Sequence, residues 1–426
     1  MVDMLATLSV PSDSWLRSPL HHQWLETQGQ KLLDFSKESR VDAGFAPLDD
    51  RGFLSDDAHA DTIVTARMTH AYALGAVQGL PGCAPLVEHG IAALLGPLRD
   101  ERHGGWLPME GDTGGRKLAY VHAFVGLAAS SAIVAEAKGA DTLMAHVLPV
   151  LEDRFWSDEE GAMRESFAAD WSDEEDYRGA NSNMHSTEMA MALADVLDAP
   201  VWRERALRIV TRIVHDLASQ RNYRLLEHFD RNWAPILDYN ADDICNDLRP
   251  YGQTPGHFLE WSHLLLKLEA ALLRAGEVAP DWLLTDAIGL FDAGVTTGWA
   301  RNGKPGILYT VDSKDEPSVS NRPHWVQAEA VTAAAALLKR TGRRSYETWY
   351  RRFWDFLDLH MIDRRCGSWH NEVDSDNYPS SCIYSGKPDL YHAYQSTLTP
   401  VLPLAPSLMT MLAMKSSRKT FNKCSM

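Results

Sequence analysis

Six stretches of this chain read as helix rather than sheet or loop: "ADTIVTARMTHAYALGAVQGL", "YVHAFVGLAASSAIVAEAKG", "SNMHSTEMAMALADVLD", "VWRERALRIVTRIVHDLAS", "HFLEWSHLLLKLEAALLRAG" and "WVQAEAVTAAAALLKRTG". Each is rich in Ala and Leu and carries apolar residues three and four apart, the period of a helix. Several stop at Gly or at a Gly-containing turn, where helices often end. Strand-like runs are few and short, "GILYTVD" among them, and no hydrophobic alternation is long enough to found a central sheet. No Pro/Ser-rich linker divides the chain. The pattern predicts an all-α protein with one domain over residues 1–415 and a polar, basic tail, 416–426, that is expected to be disordered.

The histidines add a topology. His70, His122, His185, His257, His324 and His392 sit near the starts of successive helical patterns, separated by 52, 63, 72, 67 and 68 residues. Each interval has room for a helical hairpin and its loops. Six hairpins would close into a ring of twelve helices, with an inner ring presenting one helix start per hairpin to a shared cavity. Seventeen histidines also supply such spacings by chance, so the ring rests on the helix pattern as well. The gaps repeat one flavour, a Trp with Gly and charged residues: "RHGGWLPM", "RFWSDEEGAM", "TGWARNGKPGILYTVD", "RRCGSWHNEVD". Aromatic faces suit the C–H faces of sugars and polar rims suit hydroxyls; the same Trp residues can equally fill a large core.

Charge and cysteine usage exclude several classes. A formal net charge of −17 opposes nucleic acid and anionic membrane surfaces, which repel an acidic protein. The five cysteines are scattered, odd in number and without a C-x-x-C pair, so neither a disulfide framework nor a zinc site is indicated. No basic segment followed by a long apolar run opens the chain, and no apolar run approaches the roughly 18 residues of a membrane span. A cytoplasmic protein is expected. No Gly-rich phosphate loop or dinucleotide fingerprint appears, and no cofactor is expected.

The chemistry concentrates on a few residues. In "GQTPGHFLEW" a Pro-Gly helix start is followed by His257 and, three residues later, by Glu260, which places both on one helix face. His185 lies in "GANSNMHSTEM", four after Asn181 and three before Glu188; His392 follows Asp389 and Tyr391 in "KPDLYHAYQ". A lone helical histidine is ordinarily a hydrogen-bonded core or surface group, but three in polar, turn-flanked settings favour proton transfer near neutral pH. H-x-x-E at 257 and 185 could serve a metal, although no H-E-x-x-H pair or Cys partner accompanies it. The acidic run "WSDEEDYRG" could supply glycosidase carboxylates but marks no separated pair, and no G-x-S-x-G is present. Histidine-based proton transfer on an uncharged polyol remains. Arg67, in "TARMTHAYALG", needs acceptors if buried, and sugar hydroxyls, an enolate oxygen or a structural carboxylate would all qualify.

At these residues the chain resembles the N-acylglucosamine 2-epimerase superfamily, and within it the aldose–ketose isomerase branch. The motifs that carry the resemblance run in order over nearly the whole chain: "TARMTHAYALGA", "YVHAFVGLAA", "FWSDEEGAMRES", "YRGANSNMHSTEM", "EHFDRNW", "YGQTPGHFLEW", "LYTVD", "ETWY" and "KPDLYHAYQ". The resemblance implies an (α/α)6 barrel and a metal-free, cofactor-free reaction in its cavity. It implies that His257 and His392 are the acid/base pair on an open-chain sugar and that His185 assists ring opening. Arg67, Tyr120, Asn181, Glu260, Trp325 and Glu329 match substrate-contacting positions, with Glu260 expected to orient His257 or hold a hydroxyl. The implied partner is a monosaccharide. Sulfosugar isomerases of the branch carry glutamines that help hold the sulfonate, where Asn371 and Pro388 stand here. Their absence, with the net charge, points to a neutral hexose, D-mannose to D-fructose. Sulfoquinovose isomerisation, a 2-epimerase sharing the same enediol, a glycoside hydrolase on the same barrel and a non-catalytic sugar-binding toroid are the alternatives.

Overall fold

The structure is a computed structural model and describes residues 10–424, with side chains as far as residue 416. Its helices are α1 (Pro19–Ser36), α2 (Thr62–Val77), α3 (Cys83–Leu95), α4 (Ala119–Val134), α5 (Ala140–Val150), α6 (Ala180–Val196), α7 (Pro200–Val210), α8 (Pro255–Arg274), α9 (Trp282–Gly298), α10 (His324–Thr341), α11 (Arg344–Phe356), α12 (Tyr391–Leu398) and α13 (Leu408–Cys424). The even-numbered helices pack side by side in chain order, and α12 returns to α2, so six inner helices close a ring. Outside them, α3, α5, α7, α9 and α11 each pack on the inner helix that precedes them. The sixth outer helix is α1, which packs on α12. The expected (α/α)6 barrel therefore forms, with one correction: five hairpins are sequential and the sixth joins the two ends of the chain. Helix α13 packs against α2, α4 and α6. The expected disordered tail coincides with the end of α13, and its side chains beyond 416 lie outside the described residues.

Sequence explains which helices go inside. Residues 119–132 of α4 and 326–339 of α10 are buried without a break. A helix apolar on all sides belongs between neighbours, and the run of alanines in α10 lets the inner helices approach closely. Helix α11 instead buries Tyr346, Tyr350, Phe353 and Trp354 at three- and four-residue spacing, as a helix with one wet face does. Among the described residues no helix is long and apolar enough to cross a membrane.

Short ladders fix the helix starts. Arg178–Gly179, just before α6, pairs antiparallel with His228–Phe229, and Arg322–Pro323, just before α10, pairs with Glu372–Val373. Each ladder stitches one inner helix start to the loop of the next hairpin. The Trp-containing gaps form similar pairings, such as Arg99 with Trp106 and Ile362 with Trp369. Trp106, Trp156 and Trp369 are buried in the hydrophobic core, so these aromatics fill the body of the barrel and do not line its cavity.

Candidate active site

The inner helices place their first turns at one end of the barrel and their second turns one layer deeper. In "YGQTPGHFLEW", Gly252 adopts φ +89°, and a Cβ there would come within 2.2 Å of the Val311 carbonyl oxygen. That conformation suits glycine. It lets Gln253 pair with Val311 and turn the chain into Pro255, the first residue of α8. A Cβ on Gly256 would meet the Trp325 ring at 2.7 Å, so its absence allows Trp325 to lie against the helix start, 5.0 Å from the His257 ring. First-turn residues His257, His324, His392, Tyr120 and Asn181 all reach one cavity of about 330 Å³, at the small end of the range for ligand sites. The sixth residues of α2, α6 and α8, which are Arg67, His185 and Glu260, also line it. The sixth residue of α10, Glu329, lies behind this layer.

Two imidazoles are held from behind by buried carboxylates. Glu227 Oε2 accepts from His257 Nδ1 at 3.0 Å, and its Oε1 accepts from the Thr254 amide at 3.3 Å. Glu329 Oε1 accepts from His392 Nδ1 at 2.7 Å and its Oε2 from His263 Nε2 at 2.6 Å. A carboxylate at Nδ1 fixes the proton on that nitrogen and leaves the Nε2 lone pair for another partner. Burial and then the neighbouring Arg67 guanidinium push the His392 pKa well below its usual value. His185 is depressed well below for the same two reasons, so both rings are neutral near pH 7. Burial lowers His263 to about 4.

Arg67 supplies the fixed positive charge. It donates to Asp389 at 2.9 Å and to the Tyr120 hydroxyl at 2.7 Å, with its guanidinium 4.3 Å from the Phe124 ring centre. Burial opposes the charge, but Tyr120 and Asp389 keep it protonated. Burial would raise Asp389; Arg67 outweighs it and holds the carboxyl below its usual range. Glu260 is the converse. Burial, and then Glu329, raise its pKa well above that of an ordinary glutamate, which favours the protonated form that can donate a hydrogen bond.

Several predicted roles change in this geometry. The carboxylate on His257 is Glu227, not Glu260, whose nearest imidazole is His185 with Nδ1 at 3.7 Å. Glu188 accepts a short hydrogen bond from Tyr391 and not from His185. Glu329 braces His392 and is not among the cavity-lining residues. Of the six periodic histidines, four reach the cavity; His70 bonds Ser131 in the barrel interior, and His122 accepts from the Trp106 amide. Glu227, His263 and the cavity residues Asp247, Tyr309 and Tyr384 were not singled out from sequence. Glu227 stands 30 residues before His257 in "EHFDRNW"; the ladder that pairs His228 with Gly179 holds it at the start of α6, and its carboxylate reaches across to Thr254 and His257 at the start of α8. Asn371, a lining residue, is engaged by His324, whose Nδ1 lies 2.9 Å from its Oδ1.

Oxygen and nitrogen donors for a cation exist: Glu260, Glu329 and His392 each offer an atom within 4.8 Å of the others. Glu329 is already shared between His392 and His263, so a cation there would compete with those two hydrogen bonds. Four buried polar atoms of cavity residues have no partner among the described residues: Arg67 Nε, Asn181 Oδ1, His185 Nδ1 and Glu260 Oε2. Buried polar atoms are costly unless paired, and a polyol can pair them.

Barrel and cavity together define an (α/α)6 fold with a histidine-lined cavity, and the similarities to known proteins place it in the sugar isomerase and epimerase class. Residues 44–396 match the family model of N-acylglucosamine 2-epimerase (GlcNAc 2-epimerase). The chain is 55% identical over 402 residues to a D-mannose isomerase of Pseudomonas cannabina pv. alisalensis, an alignment covering 94% of this chain and 97% of that one. A D-mannose isomerase of Thermobifida fusca is 46% identical over 405 residues, covering 94% and 98%. A crystal structure of a D-mannose isomerase superposes with a TM-score of 0.82 at 27% identity, covering 89% of this chain and 97% of that one. This chain belongs to the N-acylglucosamine 2-epimerase family.

Proposed function

We propose that this chain is a cytoplasmic aldose–ketose isomerase that interconverts D-mannose and D-fructose by metal-free proton transfer within one domain, residues 1–415. The observation that carries the reading is the pair of cavity-facing imidazoles, His257 and His392, each braced at Nδ1 by a buried carboxylate. Two such groups supply what an aldose–ketose conversion needs: one base to take the C2 proton and an acid to return a proton to C1. The name shared by the two relatives above supports mannose as the aldose.

The steps follow from the groups present. His185 and Glu260, 3.7 Å apart, lie where a ring oxygen and the anomeric hydroxyl can exchange a proton, which opens the sugar. Removal of the C2 proton by a bare Nε2 gives a cis-enediol. Its developing negative charge faces the Arg67 guanidinium and the amino ends of the inner helices, whose dipoles favour an anion. Return of a proton to C1, with the O2 proton passed to O1, yields the ketose. Positioned acid–base groups contribute about 10²- to 10⁴-fold each. Trp325 offers its ring face to the sugar's C–H groups, its indole N–H donating to the Tyr384 hydroxyl at 3.2 Å. Asn371 and Pro388 leave no glutamine amide at this end for a sulfonate, in keeping with a neutral hexose.

The test is incubation with D-mannose, with and without EDTA, and analysis of the first product. Fructose ahead of glucose, at a rate indifferent to EDTA, is expected. Glucose first would make the protein a 2-epimerase. Activity lost to EDTA and restored by one metal would place an ion at Glu260, Glu329 and His392.

A further inference from the structure

Two loops meet beside the cavity, and each carries a cysteine with no assigned role. Segment 239–250 contributes Asp247, Leu248 and Pro250 to the cavity lining; segment 371–388 contributes Asn371, Tyr384 and Pro388. Asp247 is also exposed to solvent, so these segments form the rim. They already touch, with the Tyr384 hydroxyl donating to the Asp247 carbonyl at 2.9 Å. Cys245 and Cys382, 137 residues apart in the chain, bring their sulfurs to 3.7 Å across this seam, both as free thiols.

Both cysteines sit on ordered backbone. Glu372 accepts from the amides of Cys382, Ile383 and Tyr384 at 2.6, 3.0 and 3.1 Å, which pins one loop. The Asn246 side chain accepts from the amides of Leu248 and Arg249 at 3.2 and 2.8 Å, which pins the other. A disulfide needs the sulfurs at about 2.05 Å, so a modest side-chain rotation and loop adjustment separate contact from bond. Cys382 is exposed and Cys245 half-buried. Burial and the neighbouring sulfur push the Cys245 thiol up to about 11, so Cys382 is the thiol that an external reagent meets first.

We propose that Cys245 and Cys382 form a reversible disulfide that locks the two rim segments together and restricts passage of sugar to the cavity. The oxidant is a low-molecular-weight disulfide. The Cys382 thiolate attacks one of its sulfurs, releasing one thiol and leaving a mixed disulfide on Cys382. The Cys245 thiolate then attacks the Cys382 sulfur and expels the second thiol. One external disulfide is reduced to two thiols while the two protein thiols lose two hydrogens and become one disulfide.

The experiment exposes the full-length protein to oxidised glutathione. Intact mass and peptide mapping read the linkage, hydrogen exchange reads segments 239–250 and 371–388, and turnover of D-mannose reads passage; this last arm alone rests on the proposed isomerase activity. The expected result is a 245–382 linkage with loss of two hydrogens, slowed exchange in both segments and at least a tenfold fall in turnover, all reversed by dithiothreitol. Cys245→Ser and Cys382→Ser should keep the basal rate and ignore the oxidant in turnover. Glutathione adducts without the linkage would overturn the proposal, as would a linkage that leaves loop exchange or turnover unchanged. If no turnover of mannose is found at all, the isomerase reading fails while linkage and exchange still decide this one.

Discussion

Replacing Glu227 by Gln changes one atom in a buried site and should disable His257. In the native site Oε1 takes the Thr254 amide and Oε2 takes His257 Nδ1. A glutamine must place its carbonyl oxygen at one of these partners and its NH2 at the other. The backbone amide can only donate, so it claims the oxygen, and the NH2 then faces Nδ1. A neutral imidazole adapts by moving its proton to Nε2. That move removes the lone pair a base needs on the cavity side. Enforcing the wrong tautomer on a catalytic histidine costs up to about 10⁴-fold, and loss of the carboxylate's charge alone is worth about 1–2 kcal/mol, or roughly tenfold. We expect kcat for D-mannose to fall about 10³-fold, with KM within a few-fold and thermal stability within about 1 kcal/mol of wild type, since both hydrogen bonds survive in altered form. Steady-state kinetics and calorimetry read the two quantities. ¹⁵N NMR of the histidines should show His257 changing tautomer. A kcat within about threefold of wild type would refute the assignment of Glu227 as the group that sets the state of His257.

His257→Ala and His392→Ala should each reduce turnover about 10²-fold or more, whereas His185→Ala should slow the reaction less when the sugar is supplied in open-chain form; full activity in either of the first two ends their assignment. Arg67→Lys cannot keep both the Asp389 and Tyr120 hydrogen bonds, and loss of one charge-assisted bond predicts a fall in kcat/KM of about 10- to 100-fold; an unchanged ratio would mean that Arg67 is only structural. His122 is fully buried and burial lowers its pKa to about 3, against about 6.5 in an unfolded chain. Below pH 6.5 the unfolded chain therefore takes up a proton that the native one refuses, so stability should decline as pH falls, by about 1.4 kcal/mol per pH unit from this residue. His122→Gln should flatten the dependence of unfolding free energy on pH between 6 and 4 by that amount; an equal slope in both proteins would contradict it.

Much of the barrel could be read from the chain because inner and outer helices announce themselves by local period. The run "AEAVTAAAALL" must be enclosed, and "ETWYRRFWDF" must keep one face wet. The closure of the ring by α1 against α12 was not legible, since no local pattern relates residues 19–36 to 391–398. The site divided along the same line. Histidines just after a helix start, such as His257 and His392, carry a visible signal in their turn residues. Their braces do not. Glu227 is held at the start of α6 by strand pairing and reaches His257 only with its side chain, and Glu329 lies in the second turn of α10, in a sequence that reads simply as buried helix. Glu260 is legible as a neighbour of His257 on one face, yet its surroundings place it beside His185 and raise its pKa. Pairing within a helix is local; bracing across helices is tertiary.

In the proposed reaction a single pair of braced imidazoles moves a proton between C2 and C1 of one bound sugar. This transfer is tested most directly by incubating the protein with D-mannose in D2O and following the sugars by proton NMR from the first minutes. D-fructose is expected as the first new sugar, with deuterium at C1, because the proton taken from C2 would reside on an imidazole that exchanges with solvent. Glucose appearing before fructose, or a mannose pool that remains unchanged, would contradict it.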